Sequence, residues 1–134
     1  MLIRLLQKLL SQLVSSKVRR CFLLSCIFCQ IVNKKIFADI VYEDDNVLAF
    51  KDIEPQAPVH LLVIPKQHIE SLDDMINIKN SIISDIFNVI YKLAKDYNLG
   101  SGFRVITNYG KDAGQTVNHL HFHLLGKKLF DNKF

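Results

Sequence analysis

The chain has 134 residues, 49% of them hydrophobic, enough for one packed domain and not the composition of a disordered chain. Its formal charge of +4 is unevenly placed: five of the 17 basic residues precede residue 26 and none of the 13 acidic ones does, so residues 26–134 carry 12 basic against 13 acidic groups. A near-neutral body gives no basic surface for nucleic acid, and no run of 18 or more apolar residues exists to span a membrane.

Residues 1–25 place Leu2, Leu5, Leu6, Leu9, Leu10 and Leu13 at helical spacing, with Arg4, Lys8 and Gln12 between them. This basic, acid-free extension fits an organelle transit peptide, a helix on an anionic membrane surface, or a poorly ordered tail upstream of the domain. Charge interrupts it too often for a secretory signal. The folded domain is expected over 26–134. Cytoplasmic placement is expected, with organelle targeting through residues 1–25 as the alternative. The cysteines, Cys21, Cys26 and Cys29, are odd in number, which argues against a disulfide framework and for a reducing compartment. Cys26-Ile-Phe-Cys29 is then available to a metal, or to nothing.

Residues 26–34, with Ile27, Phe28 and Ile31 apolar, predict a short first helix. Strands are expected at 39–43 and 47–51, joined as a hairpin by Asp44-Asp45-Asn46. Pro55 and Pro58 mark a loop, and Val59-His-Leu-Leu-Val-Ile64 is a β-branched apolar run closed by Pro65. The main helix is expected over 80–99. Its stripe is Ile82, Ile83, Ile86, Phe87, Ile90, Leu93, Ala94 and Tyr97, with Asn80 or Ser81 as cap and Gly100 as the stop. A fourth strand (103–107), a loop (108–116) and a last strand (119–125) complete the chain. Helix, three strands, helix, two strands is an antiparallel α+β order.

In a strand, residues two apart share a face, so His119, His121 and His123 line one side and Leu120, Phe122 and Leu124 the other. One histidine there is commonly a satisfied polar residue. Three in alternation are costly to bury without a use. Imidazole binds metals, and it serves as nucleophile or general acid–base. The loop before the strand carries Gly110, Gly114, Gln115 and Thr116, a composition that can cradle phosphate oxygens.

His119-Leu-His121-Phe-His123-Leu-Leu125 fits the motif His-φ-His-φ-His-φ-φ, φ being apolar. With CIFCQIV, YEDDNVLAFKDIEPQAPVHLLVIPKQHI and GQTVNHLHFHLLG, residues 26–126 resemble the histidine triad family, most closely its Hint branch. The resemblance implies a HIT-like α+β fold: an antiparallel sheet with a short N-terminal helix and one long helix. It implies a homodimer without an organic cofactor that cleaves AMP derivatives such as adenosine phosphoramidates at the α-phosphate. Neighbouring alternatives are a dinucleoside polyphosphate hydrolase and a nucleotide-binding module with little turnover.

By position, His121 resembles the nucleophile, its other ring nitrogen donating to the His123 carbonyl. His123 resembles a phosphate-side donor, and His119 and His60 complete the catalytic histidines. Asp52 resembles the ribose-binding residue, and Ile27, Phe28, Ile31, Phe50 and Ile53 resemble the base-pocket walls, although each could be ordinary core. Asn108, Gly114, Gln115 and Thr116 resemble phosphate and leaving-group contacts. Hint proteins commonly carry Ser at the position of Thr116. The hydroxyl survives, but the β-branch restricts it. Some bacterial members, and galactose-1-phosphate uridylyltransferase relatives, hold structural zinc through a similar cysteine pair and two histidines. Here the matching set is Cys26, Cys29, His68 and His119.

Overall fold

The structure, a computed structural model, describes residues 25–77 and 81–131. The readings of the basic extension and the candidate cap Asn80 lie outside the described residues. The elements in chain order are α1 (Ile27–Val32), β1 (Ile40–Glu43), β2 (Val47–Lys51), β3 (Val59–Pro65), α2 (Ile82–Asp96), β4 (Phe103–Ile106) and β5 (Phe122–Gly126). Two 3-10 turns, Leu72–Asn77 and Lys111–Ala113, were not expected from periodicity, which is too short there to register. The five strands form one antiparallel sheet in the order β1-β2-β3-β5-β4. The α+β class and the HIT-like arrangement of short and long helix hold.

Both faces of the sheet are covered, which explains the unbroken apolar runs of β2 and β3. Val47, Ala49, Leu61 and Val63 join Ile86, Ile90 and Leu93 of α2 in one core. Their neighbours Leu48, Phe50, Leu62 and Ile64 join Phe28 and Ile31 of α1 in a second. The β1–β2 hairpin closes as its Asp-Asp-Asn cluster predicts: Asp44 Oδ1 accepts the amides of Asn46 at 2.7 Å and Val47 at 2.8 Å.

Two element ends differ from the sequence reading by three residues, the others by two at most. Helix α2 stops at Asp96, and its left-handed cap is Asn98 (φ +56°), not Gly100. The Leu99 amide donates to Ala94 O at 2.8 Å and that of Asn98 to Lys95 O at 3.0 Å, a Schellman closure three residues before the expected end. Ser81 precedes the helix and accepts the Asp85 amide at 2.8 Å through its carbonyl, but its side chain caps no helix amide. Phe87 lies at the stripe's edge, 47% exposed, and Val89 is buried instead. The last strand begins at Phe122, not His119, because Leu120 donates to Ile69 O at 2.6 Å rather than to a ladder partner.

At Gly126 a Cβ would stand 2.5 Å from a Leu99 methyl, so the helix-closing leucine packs directly on the β5 backbone. This contact, with the Lys127 Nζ bond to Asn98 O at 2.8 Å, ties the end of α2 to the end of the histidine-bearing segment.

Candidate active site and metal centre

The alternation expected for the histidine segment persists although its first three residues precede the ladder. Leu120, Phe122 and Leu124 enter the α2-side core. The rings of His121 and His123 stand 5.2 Å apart on the α1 side. Phe28 of α1 meets His119 edge-on at 5.8 Å and His121 at 5.2 Å, so the short helix is wedged against the histidine row.

Each ring's partners assign its proton, because a carbonyl only accepts and an amide only donates. His119 donates from Nε2 to Pro65 O at 2.8 Å, leaving the Nδ1 lone pair toward the cysteines. His121 donates from Nδ1 to the carbonyl of His119 at 2.7 Å. The expected acceptor, the carbonyl of His123, is not used. That residue's backbone pairs across to Leu62 and Ile106 in the ladder, whereas the carbonyl of His119 lies before the ladder and is available. The consequence expected of the anchor stands: Nε2 of His121 keeps its lone pair and has no partner among the described residues. Thr107 Oγ1 holds the His121 carbonyl at 2.8 Å and fixes the backbone beneath the ring.

His60 sits on β3 opposite Leu125 and therefore diagonal to His123 on the same face. Its Nε2 is 2.9 Å from His123 Nδ1 and 3.4 Å from Asp52 Oδ2, so the structure brings Asp52, His60 and His123 together. Burial holds His123 at a pKa of about 4, helped by its two histidine neighbours, and burial likewise lowers His60 and His68.

Lowered histidine pKa values fix the sign of a pH effect. Above the ordinary value near 6.5, folded and unfolded chains are both neutral at these rings. Below it the unfolded chain takes up protons that the folded one refuses, so stability falls as pH drops from 6.5 toward 4. Thermal melts should show that loss, and His123→Gln should flatten the dependence. A melting temperature that rises over this interval would contradict the assignment.

In the preceding loop Gly110 (φ +78°) and Gly114 (φ +79°) adopt the positive φ for which they were singled out. Gln115 is a brace rather than a ready phosphate donor. Its Oε1 accepts the Gly110 amide at 2.9 Å, and its Nε2 donates to Glu70 O at 2.9 Å and Val117 O at 3.1 Å. The side chains of Asn108, half-buried, and Thr116, exposed, make no hydrogen bond to another described residue and are available to a ligand. Of the five suggested wall residues, Phe28, Ile31 and Phe50 are buried together in the α1-side core. Ile27 and Ile53 stand 46% and 94% exposed.

The second cluster collects Cys26, Cys29, His68 and His119, whose ligating atoms all lie within 4.8 Å of one another. Cys26 Sγ is 3.4 Å from His119 Nδ1, and Cys29 Sγ is 3.3 Å from His68 Nδ1 and 3.7 Å from His119 Nδ1. A tetrahedral zinc with ordinary bond lengths has sulfur–nitrogen edges of about 3.5 Å, so donor set and spacing both fit. Cys29 is disulfide-bonded in this structure, against the expectation of reduced cysteines, so its sulfur would be available to a metal only after reduction.

Sequence reasoning missed three site atoms: the carbonyl of Pro65, the amide of Gln56 and the hydroxyl of Thr107. Two are backbone groups with no side-chain signature, and Thr107 reads as an ordinary strand residue.

Residues 33–129 match the HIT domain family. An uncharacterized HIT-like protein of Chlamydia muridarum is 46% identical over 103 residues, 77% of this chain and 82% of its own. Among solved structures, a histidine triad protein from Clostridium difficile superposes with a TM-score of 0.79 at 49% identity, covering 83% of this chain and 97% of its own. A HIT family hydrolase from Legionella pneumophila Philadelphia 1 gives 0.75 at 43% identity, covering 78% and 94%.

Proposed function

This chain belongs to the HIT domain family, and we propose that it is a hydrolase or transferase acting at the α-phosphate of purine nucleotide derivatives, with His121 as nucleophile. The observation that carries this reading is the His121 ring itself: anchored through Nδ1–H to the His119 carbonyl at 2.7 Å, it keeps an unshared electron pair on Nε2 with no partner among the described residues. The solved hydrolase relative supports hydrolysis as the outcome.

In the first step Nε2 of His121 attacks the α-phosphorus. A nitrogen–phosphorus bond forms, and the bond to the amine or other leaving group breaks. The leaving group takes a proton from the donors at the site, a role proposed for the Thr116 hydroxyl. Water then attacks the nucleotidyl-histidine, returning the imidazole and releasing the nucleoside monophosphate. His123 stabilises the added charge on the phosphate oxygens, with the side chains of Asn108 and Thr116 as further donors, since the Gly114 and Gln115 amides already bond Lys111 O and Gly110 O within the loop. Asp52 takes the ribose hydroxyls, and the Phe28–Phe50 side of α1, with Ile27 and Ile53 at its rim, receives the base.

Zinc, when bound by Cys26, Cys29, His68 and His119, supplies structural cross-linking; all four positions are filled by protein, so no catalytic step passes through it. We also propose a homodimer that covers Phe87 and Tyr91 on α2 and Phe103 on edge strand β4, all exposed here. A single species of monomer mass in sedimentation at micromolar concentration would remove that part. Residues 26–134 are proposed as the catalytic domain, and the placement in the cell remains a proposal of cytoplasm or, through residues 1–25, an organelle. Among the described residues no helix is long and apolar enough to cross a membrane.

The test is to offer adenosine 5′-phosphoramidate and a diadenosine polyphosphate in parallel and to follow AMP release. Preference for the phosphoramidate is expected. Preference for the dinucleotide moves the chain to the neighbouring polyphosphate-hydrolase reading, and no release from either leaves a binding module.

A further inference from the structure

We propose that the backbone amide of Gln56 acts through His60 to lock His123 as an Nε2–H donor, which makes His60 a positioning residue and the 54–57 turn part of the phosphate machinery. This rests on the reading that a phosphate lies between His121 and His123, but the tautomers themselves do not.

The chain of partners is continuous. The Gln56 amide donates to Nδ1 of His60 at 3.0 Å. An amide cannot accept, so Nδ1 carries the lone pair and the proton resides on Nε2. That Nε2–H faces Nδ1 of His123 at 2.9 Å, which must then accept. The proton of the neutral His123 ring is left on its Nε2. Asp52 Oδ2, 3.4 Å from the same His60 nitrogen, is a second acceptor for that one proton and reinforces its placement. The turn is itself held: Asp52 Oδ1 accepts the Glu54 amide at 2.8 Å, Gln56 Nε2 reaches Glu54 O at 3.1 Å, and the Asp52 amide donates to His60 O at 3.0 Å.

The two adjacent rings are thereby made unlike. His121 offers an electron pair and His123 offers a proton. The reverse tautomer of His123 would aim a lone pair at phosphate oxygens, which repel it.

The same bonds decide what Asp52, His60 and His123 are for. Their ligating atoms lie within 4.8 Å and could surround a cation. A metal on His60 Nε2 requires the proton on Nδ1, opposed to the Gln56 N–H, two donors face to face. In the cysteine cluster the converse holds: His119 keeps its proton on the nitrogen remote from the sulfurs. One cluster is wired for a metal and the other for a hydrogen-bond donor.

Nitrogen-15 NMR of the histidine side chains, recorded on the reduced, ligand-free full chain at pH 7.5, reads the tautomers directly. His60 and His123 should both be Nε2–H and His121 Nδ1–H. In His60→Ala, His123 should become a tautomer mixture and kcat should fall about tenfold, as for one lost orienting bond. His60→Gln places an amide N–H near the lost Nε2–H and should restore both the single tautomer and most of kcat. Finding His123 as Nδ1–H in the wild-type protein, or unchanged in His60→Ala, overturns the proposal whatever the activity. Correct tautomers without turnover on any nucleotide overturn the functional reading instead.

Discussion

Replacing His121 with alanine is expected to abolish turnover, lowering kcat by on the order of 10⁴-fold or more, while nucleotide binding stays measurable. The size follows from the role. Without the imidazole no covalent intermediate forms, and the remaining donors can only polarise the phosphate for direct attack by water. Binding survives because the groups proposed to hold base, ribose and phosphate oxygens sit on α1, the 52–60 region and the glycine loop. The substitution also empties space beside Phe28, so His121→Gln is the companion variant: it fills more of the volume without a nucleophilic nitrogen. Both variants should be inactive, and isothermal titration with AMP should separate lost chemistry from lost binding. Turnover near the wild-type rate in either would remove His121 from its role.

The second large effect is expected at the cysteine–histidine cluster. Reduced protein purified without added zinc should carry about one equivalent of metal, and Cys26→Ser or His119→Gln should lose it together with several kcal/mol of folding stability. A bound metal would tie α1, the segment after β3 and the start of the histidine row, adding to packing and to the Leu120–Ile69 and His119–Pro65 bonds. Its loss should also reach the nucleophile. His119, whose ring would face a bound metal, is the residue whose carbonyl anchors His121, and Phe28, between the two cysteines, presses on both rings. Metal analysis and melting temperature are the readouts. Metal-free wild-type protein of undiminished stability would leave the cysteines as small apolar packing residues.

Much of this was legible in the chain because two periodicities were. The period of two through His119–Leu125 sorts a histidine face from a core face, and that sorting holds even though β5 starts three residues later than the pattern suggests. The period of 3.6 through Ile82–Ala94 locates α2, while its end was misplaced because a left-handed asparagine can close a helix as glycine does. The glycines of the loop mark places of positive φ, and Gly110 and Gly114 adopt it. Gln115 resembles a ligand contact in sequence, because a side chain's spare hydrogen bonds cannot be counted until the loop it braces is folded. Base-pocket walls are the least legible. Phe28, Ile31 and Phe50 satisfy core and pocket descriptions alike, and apolar type alone does not separate them. The partners that set each imidazole's proton, at Pro65, His119 and Gln56, are backbone atoms common to almost every residue, so only the fold reveals them.

The most direct measurement is to quench the reaction with an adenosine phosphoramidate within a single turnover and to map the labelled peptide by mass spectrometry. An adenylyl group on His121, formed and lost at rates consistent with steady-state turnover, is the predicted result. Label on a different residue, or turnover with no covalent species and inversion at phosphorus, would contradict it.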